Sequence, residues 1–140
     1  MEDISLHILD IVENSIAVSA SRVEITISKD VEKDILSIEI KDNGQGMSKE
    51  TLKKVLDPFF TTKTGKKIGL GLPLLAQAAR ESGGDIKVES RVGGGTRVKA
   101  TFQYSHPDRK PLGNIAETMR ILRITNPEID FVYKYENHAQ

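Results

Sequence analysis

A segment rich in lysine and glycine near the middle of the chain constrains the fold more than any other feature. Residues 57–75 read DPFFTTKTGKKIGLGLPLL, in which two adjacent phenylalanines precede a polar stretch and a G-x-G pair precedes an apolar, helix-like run. Such a segment can bring backbone N–H groups, the positive end of a helix and lysine side chains to one place, which suits a polyphosphate. Taken alone, the pattern fits a flexible loop followed by a helix equally well.

The composition excludes several classes of protein. The 140 residues are 38% apolar and 29% charged, which indicates an ordinary soluble domain with a sizeable core. The formal net charge is +0, so we expect neither a nucleic-acid partner nor a membrane surface. The chain has no cysteine, which excludes disulfides, thiolate metal sites and thiol catalysis, and its three histidines show no zinc-ligand spacing. Because no apolar run is long enough to span a bilayer, we expect a cytoplasmic location.

Hydrophobic periodicity predicts the order of the secondary-structure elements. The alternation of strands and amphipathic helices predicts an α/β (α+β) two-layer sandwich, with a mixed, mostly antiparallel sheet of four or five strands and about three helices on one face. The predicted elements are a helix over 3–20, strands over 22–29 and 35–41, a helical segment over 48–56, a helix from 69 to about 81, strands over 85–91 and 95–104, a helix over 114–123 and a strand over 130–135.

The first predicted helix has an unusual polar face. His7, Asp10, Asn14 and Ala17 lie together at helical spacing, opposite the apolar residues. This face is sparse in Lys and Glu, and it carries a short carboxylate and an amide one turn apart. These features favour a face that meets a ligand over a solvated one.

The sequence DNGQGM, residues 42–47, follows the second predicted strand. Asn43-Gly44 is a common pair in hairpin turns. The helical pattern of the next segment instead favours a strand that runs into a helix through two glycines, with Asp42 at the end of the strand. A buried carboxylate at that position needs hydrogen-bond donors.

Four separated motifs now occur in a specific order, namely DIVENS, DNGQGM, PFFTTK and GLGL. This order resembles the ATP-binding domain of the GHKL superfamily (the Bergerat fold), which includes gyrase B subunits, heat-shock chaperones, MutL-type mismatch-repair proteins and histidine kinases. The resemblance covers roughly residues 4–103. The first helix is most similar to the MutL type, whereas the lid and second glycine box are most similar to sensor histidine kinases. Each motif alone is a weak signal, and four in order are a strong one.

The resemblance implies a Mg-ATP site. Asn14 matches the asparagine that holds the Mg²⁺ ion, and Asp42 matches the aspartate that accepts a hydrogen bond from the adenine amine. Around the base, the resemblance implies that Gly44 and Gly46 let the backbone approach, that Met47 lines the pocket and that Thr96 lies near the adenine. The lid motif matches Phe59, Phe60, Thr61, Thr62 and Lys63, and the phosphate-binding box matches Gly69, Leu70, Gly71 and Leu72.

Asp10, rather than Glu13, is predicted to be the acidic residue that serves any chemistry. Asp10 and Asn14 are one helical turn apart and share a face, so both can point at a bound triphosphate. Glu13 lies about 100° around the helix from Asn14, where a solvated or salt-bridged side chain is expected. His7 is interpreted as a pocket or packing residue and not as a phosphoacceptor.

Two functions remain open on the sequence. The first is a histidine-kinase-like ATPase domain that acts as a stand-alone module and phosphorylates a histidine or serine of a partner protein. The second is a non-catalytic, ATP-gated switch that binds a partner. A MutL- or gyrase-like ATPase is disfavoured, since few residues follow Tyr104, and no acceptor hairpin is expected before the first helix. Residues 1–104 are predicted to be the ATP-binding domain, and residues 105–140 an extension packed on it or on a second subunit, as in a homodimer.

Overall fold

The computed structural model of the protein describes residues 3–17, 20–50, 53, 71–109 and 111–137, and for residues 14–17 and 71 it describes the backbone alone. Lys49, Glu50 and Lys53 are helical, and three helices and five strands lie wholly within these ranges. They are α1 (Ile4–Ala17), β1 (Arg22–Asp30), β2 (Ile35–Asp42), α2 (Gly71–Glu81), β3 (Asp85–Ser90), β4 (Thr96–Gln103), α3 (Ile115–Thr125) and β5 (Asp130–Asn137). The longest helix, α1, has 14 residues, and no helix in the described ranges is long and apolar enough to cross a bilayer.

The strands form one mixed sheet in the order β3-β4-β2-β1-β5. The neighbours β1 and β2, β2 and β4, and β3 and β4 pair antiparallel, whereas β5 runs parallel to β1. This arrangement confirms the predicted mixed, mostly antiparallel sheet with helices on one face.

Alternation along the strands separates a buried face from a polar one. On β1 the side chains of Val23, Ile25 and Ile27 are fully buried, and the intervening positions are partly exposed. The buried face joins apolar side chains of all three helices in one core. On the opposite face, Arg97 bonds Glu39 at 2.7 Å between Nη2 and Oε2, as expected for a surface that meets water.

The segment before α3 caps the N-terminus of α1. The Ile4 N–H donates to the carbonyl of Pro111 at 2.9 Å, and the Ser5 N–H donates to that of Leu112 at 3.0 Å. These N–H groups belong to the first turn of α1, where no intrahelical partner exists. The C-terminal part of the chain therefore supplies a cap for the helix that carries Asp10.

The predicted extension adds an edge strand to the sheet. Asn114 caps α3, as predicted, because its Oδ1 accepts the N–H of Glu117 at 3.0 Å. The buried side chains of α3 and β5 belong to the same core as those of α1 and β1; they are Ile115, Met119, Leu122 and Phe131. The division of the chain at residue 104 stays a prediction.

Candidate functional site

Three polar side chains lie side by side at one end of the sheet, on the face that the helices cover. Asp42 at the end of β2 pairs with Thr96 at the start of β4, and Thr96 pairs with Ser90 at the end of β3. Directly paired residues of antiparallel strands share a face and lie close together. The next row toward the middle of the sheet is apolar, with Ile40 paired to Val98. A polar row that follows an apolar one on the covered face indicates a ligand-facing edge.

The carboxylate of Asp42 is fixed by the backbone that follows it. Its Oδ1 atom accepts the N–H of Gly44 at 2.8 Å, and the Asp42 residue is 8% exposed. A side chain that bonds the N–H two residues further on turns the chain sharply away from the strand. The strand therefore ends at Asp42 and leaves its carboxylate at the covered end of the sheet.

Asn43 does not form a hairpin turn with Gly44. Its Oδ1 accepts the backbone N–H groups of Ser21 at 2.9 Å and Arg22 at 3.0 Å, and its Nδ2 donates to the Ser21 hydroxyl at 2.9 Å. These bonds tie the end of β2 to the start of β1. Asn43 is therefore a structural residue that holds its neighbour Asp42 in place.

Two glycines allow the segment after β2 to contact the β3–β4 turn. Gly46 has φ +73°, and a Cβ added to it would lie 2.0 Å from the carbonyl oxygen of Arg91. Gly95 has φ +76°, and its added Cβ would lie 2.2 Å from the carbonyl oxygen of Asp42. Larger residues are excluded at both positions by space and by backbone conformation. In the described residues, Gly46 therefore permits a close approach of its backbone to the β3–β4 turn.

Ser90 connects the segment after β2 to the β3–β4 turn. Its Oγ accepts the N–H of Met47 at 2.8 Å and donates to the carbonyl of Gly95 at 2.9 Å. The same atom lies 2.9 Å from Thr96 Oγ1. Sequence reasoning missed Ser90, although a signal exists, since Ile86, Val88 and Ser90 alternate on one face and only the last is polar.

The two acidic residues of helix α1 differ in their exposure to solvent. Asp10 is partly buried, whereas Glu13 is exposed. His7, one turn before Ile11, is 1% exposed, which fits packing within the helix layer. The backbone of Asn14 lies one turn beyond Asp10, and its side chain is outside the described atoms. In the ranges that the structure describes, no group of three or more His, Cys, Asp or Glu residues could hold a metal ion.

Several predicted site residues fall outside the described ranges. Those of the lid and the first half of the second glycine box are Phe59, Phe60, Thr61, Thr62, Lys63, Gly69 and Leu70. Gly71 begins α2, and Leu72 after it is 9% exposed. The structure thus brings together the residues predicted around a base, and the predicted phosphate-binding residues stay predictions.

Comparison with known proteins gives one family. Residues 2–106 match the family described as histidine kinase-, DNA gyrase B-, and HSP90-like ATPase. Sporulation kinase C of Bacillus subtilis is 36% identical over 88 residues, which cover 63% of this chain and 20% of that protein. Sensor histidine kinase WalK of the same organism is 35% identical over 112 residues, or 74% of this chain and 18% of that protein. The chain thus spans a fifth or less of either kinase.

A solved structure shows the same fold. The MutL ATPase domain of Aquifex aeolicus, complexed with ADP, superimposes with a TM-score of 0.62 over 98% of this chain and 61% of that one. The two sequences are 21% identical, so the likeness concerns the fold alone. It extends to nearly the whole chain, beyond the residues that the family model matches.

Proposed function

Because the chain belongs to the histidine kinase-, DNA gyrase B- and HSP90-like ATPases, we propose that it binds Mg-ATP and acts as a histidine-kinase-like catalytic or regulatory module. The observation that carries the proposal is the polar row at the covered end of the sheet, where Asp42 is 8% exposed. A carboxylate held there accepts the N–H of Gly44, and a carboxylate has acceptor capacity for the amine of a base as well.

The residues around this carboxylate support a binding role. Gly46 and Gly95 let two backbone segments approach within contact, and Ser90 and Asn43 hold these segments from either side. A site whose walls are fixed before the ligand arrives loses less conformational entropy on binding. The arrangement therefore suits a rigid planar base at this end of the sheet.

The phosphates are assigned to residues beyond this row. Asn14 would hold Mg²⁺, which requires only one or two protein oxygens beside phosphates and water. Bound there, the ion would neutralise charge on the terminal phosphates during transfer. The partly buried Asp10, one turn from Asn14, would orient a water or accept a proton from an incoming hydroxyl. By the family resemblance, the lid residues 59–63 and Gly69–Leu72 would also contact the phosphates.

The proposed partner is a protein that either receives the γ-phosphoryl group or is regulated by nucleotide binding. The kinase names of two relatives favour transfer. The alternative is an ATP-gated switch. It is favoured by the side chain of Asp10, which is one methylene shorter than the glutamate usual in the resembled superfamily and therefore reaches less far, since catalytic geometry tolerates little misplacement. A cytoplasmic location and a dimer of two copies belong to the same proposal.

The test combines binding with transfer. Calorimetry on the full chain should show saturable binding of Mg-ATP, and a chain that binds no adenine nucleotide would contradict the proposal. ATP labelled at the γ-phosphate is then incubated with the chain and candidate partners. Label that moves to a partner supports the kinase, whereas ATP-dependent association without transfer supports the switch.

A further inference from the structure

The hydroxyl of Ser90 has more neighbours than it has protons. It lies within hydrogen-bond distance of the Met47 N–H, the Gly95 carbonyl and the Thr96 hydroxyl, at 2.8, 2.9 and 2.9 Å. A serine hydroxyl can donate one hydrogen bond and accept two. The Met47 N–H can only donate, and the Gly95 carbonyl can only accept. The single Ser90 proton is therefore directed to Gly95.

This assignment determines where the Thr96 proton points. Because the Ser90 hydroxyl donates its hydrogen bond to the Gly95 carbonyl, its second lone pair accepts a hydrogen bond only if Thr96 donates to it across the 2.9 Å contact. Thr96 then has only lone pairs to offer in other directions. Thr96 is paired directly with Asp42 on the covered face, so its lone pairs lie next to a carboxylate, which is also an acceptor.

We infer that Ser90 is a specificity-determining residue that acts through Thr96. By accepting a hydrogen bond from the Thr96 hydroxyl, it leaves Thr96 and Asp42 as a pair of hydrogen-bond acceptors. Such a pair accepts the two N–H groups of an exocyclic amine, as on a 6-aminopurine. It rejects a 6-oxopurine, whose oxygen would face two acceptors with no proton between them. This inference rests on the nucleotide site proposed above and concerns which base that site selects.

The competing explanation is that Ser90 only supports the segment after β2 against the β3–β4 turn, and we call this role a brace. It bonds Met47, which lies 43 residues earlier in the chain, so its removal would also loosen one wall of the site. A brace and a proton-holding residue differ in one measurable respect. If Ser90 only supports the wall of the site, its loss should weaken the binding of 6-aminopurine and 6-oxopurine nucleotides by the same factor. If Ser90 orients the Thr96 hydroxyl, its loss should change the ratio of the two affinities, because Thr96 can then rotate and donate to an oxo group.

The experiment measures dissociation constants of the full chain for ATP and for ITP, its 6-oxo counterpart, by calorimetry with Mg²⁺ present. We expect the wild type to prefer ATP, and Ser90→Ala to reduce the ATP-to-ITP preference at least about tenfold, the size of one good hydrogen bond. Ser90→Thr, which restores a hydroxyl, should recover the preference. Ser37→Ala on the open face of the sheet is the matched control and should keep both constants.

Each outcome decides the matter. An ATP-to-ITP ratio that stays constant in Ser90→Ala while both affinities fall would show a brace and overturn the inference. If Ser90→Ala does not fold, Thr96→Val carries the test, since it removes one acceptor and should narrow the same ratio; an unchanged ratio would again overturn the inference. A wild type that binds neither nucleotide would contradict the proposed function itself.

Discussion

At the scale of single residues, the site depends on one buried carboxylate. Replacement of Asp42 by asparagine keeps the shape and leaves an oxygen for the Gly44 N–H, but it removes the charge that the proposed amine would meet. A hydrogen bond to a charged acceptor is worth about 1.5–3 kcal/mol, so Asp42→Asn should raise the dissociation constant for ATP roughly 10- to 100-fold. Calorimetry measures this change. Asp30→Asn, at the other end of the sheet, is the control, and equal affinity of Asp42→Asn and wild type would refute the assignment.

The two acids of α1 are expected to differ in their effect on turnover. Asp10 is partly buried and one turn from Asn14, whereas Glu13 is exposed. Asp10→Asn should leave ATP affinity nearly unchanged and lower the single-turnover rate at least about tenfold, as for loss of a general base. Glu13→Gln should change neither quantity. The reverse result, with Glu13→Gln inactive and Asp10→Asn neutral, would show that the helix is rotated relative to the nucleotide.

Single residues also show how far sequence reasoning extends. The position of Asp42 at a strand end could be predicted, because strand alternation stops there and two glycines follow. The long-range hydrogen bonds of Asn43 and Ser90 could not, since they join Asn43 to Arg22, 21 positions away, and Ser90 to Met47, 43 positions away. Such contacts follow from the register between strands, which local periodicity does not determine.

At the scale of elements, the β1–β2 turn is held to the end of β4 by one side chain. Asp34 has φ +56°, and its carboxylate accepts the Ser105 hydroxyl at 2.6 Å, the Ser105 N–H at 2.9 Å and the Gln103 amide at 3.2 Å. These bonds, that of the Ser105 hydroxyl first, lower the pKa of Asp34 below its ordinary value of 3.8. The turn therefore prefers the ionised carboxylate.

This preference predicts a pH-dependent stability. A lowered pKa in the folded state means that the stabilisation is fully present above the ordinary pKa and is lost as the pH falls through the lowered folded value. Asparagine tolerates a positive φ, so Asp34→Asn should keep the turn conformation. This variant should have a lower Tm than the wild type at pH 7, and the difference in Tm should shrink as the pH falls below about 4. Melting curves from pH 7 to pH 2.5 measure it. Glu32→Gln in the same turn is the control, and a difference that stays constant with pH would contradict the assignment.

Elements differ in how well the sequence predicts them. The alternating strands of the first hairpin were predicted within one residue of Arg22–Asp30 and Ile35–Asp42, because one face is buried and the other is polar. The strand at 130–135 was predicted as an element, and the structure extends it to Asn137. Its parallel pairing with β1 was not predicted, because alternation reports a buried face and carries no information on the direction of the neighbouring strand.

At the scale of the whole molecule, the C-terminal extension belongs to the same core as the matched family region. Five of its apolar side chains are less than a tenth exposed; they are Ile115, Met119, Leu122, Ile129 and Phe131. Each contributes about 1.5–3 kcal/mol on burial. The extension is therefore expected to be required for stable folding.

Removal of residues 110–140 tests this expectation. Without β5, the paired edge of β1 would be open along Arg22–Lys29, and the first-turn N–H groups of α1 would lose the carbonyls of Pro111 and Leu112. An exposed edge strand is a template for pairing with another chain. The truncated chain should therefore lose a cooperative urea transition at 25 °C or aggregate, as judged by circular dichroism and size-exclusion chromatography. A monomer of unchanged stability would contradict the expectation.

A pair of point variants separates loss of the core from loss of the edge. Met119 is 1% exposed and Ile124 is 64% exposed, although both lie on α3 and both are apolar. Met119→Ala leaves β5 in the chain and removes only packing, so it should lower the free energy of unfolding by about 2–5 kcal/mol. Ile124→Ala should change it by no more than about 0.5 kcal/mol. Urea denaturation of both variants gives the two values. If Met119→Ala is neutral while the truncated chain unfolds, then α3 contributes little packing and the edge strand alone accounts for the stabilisation.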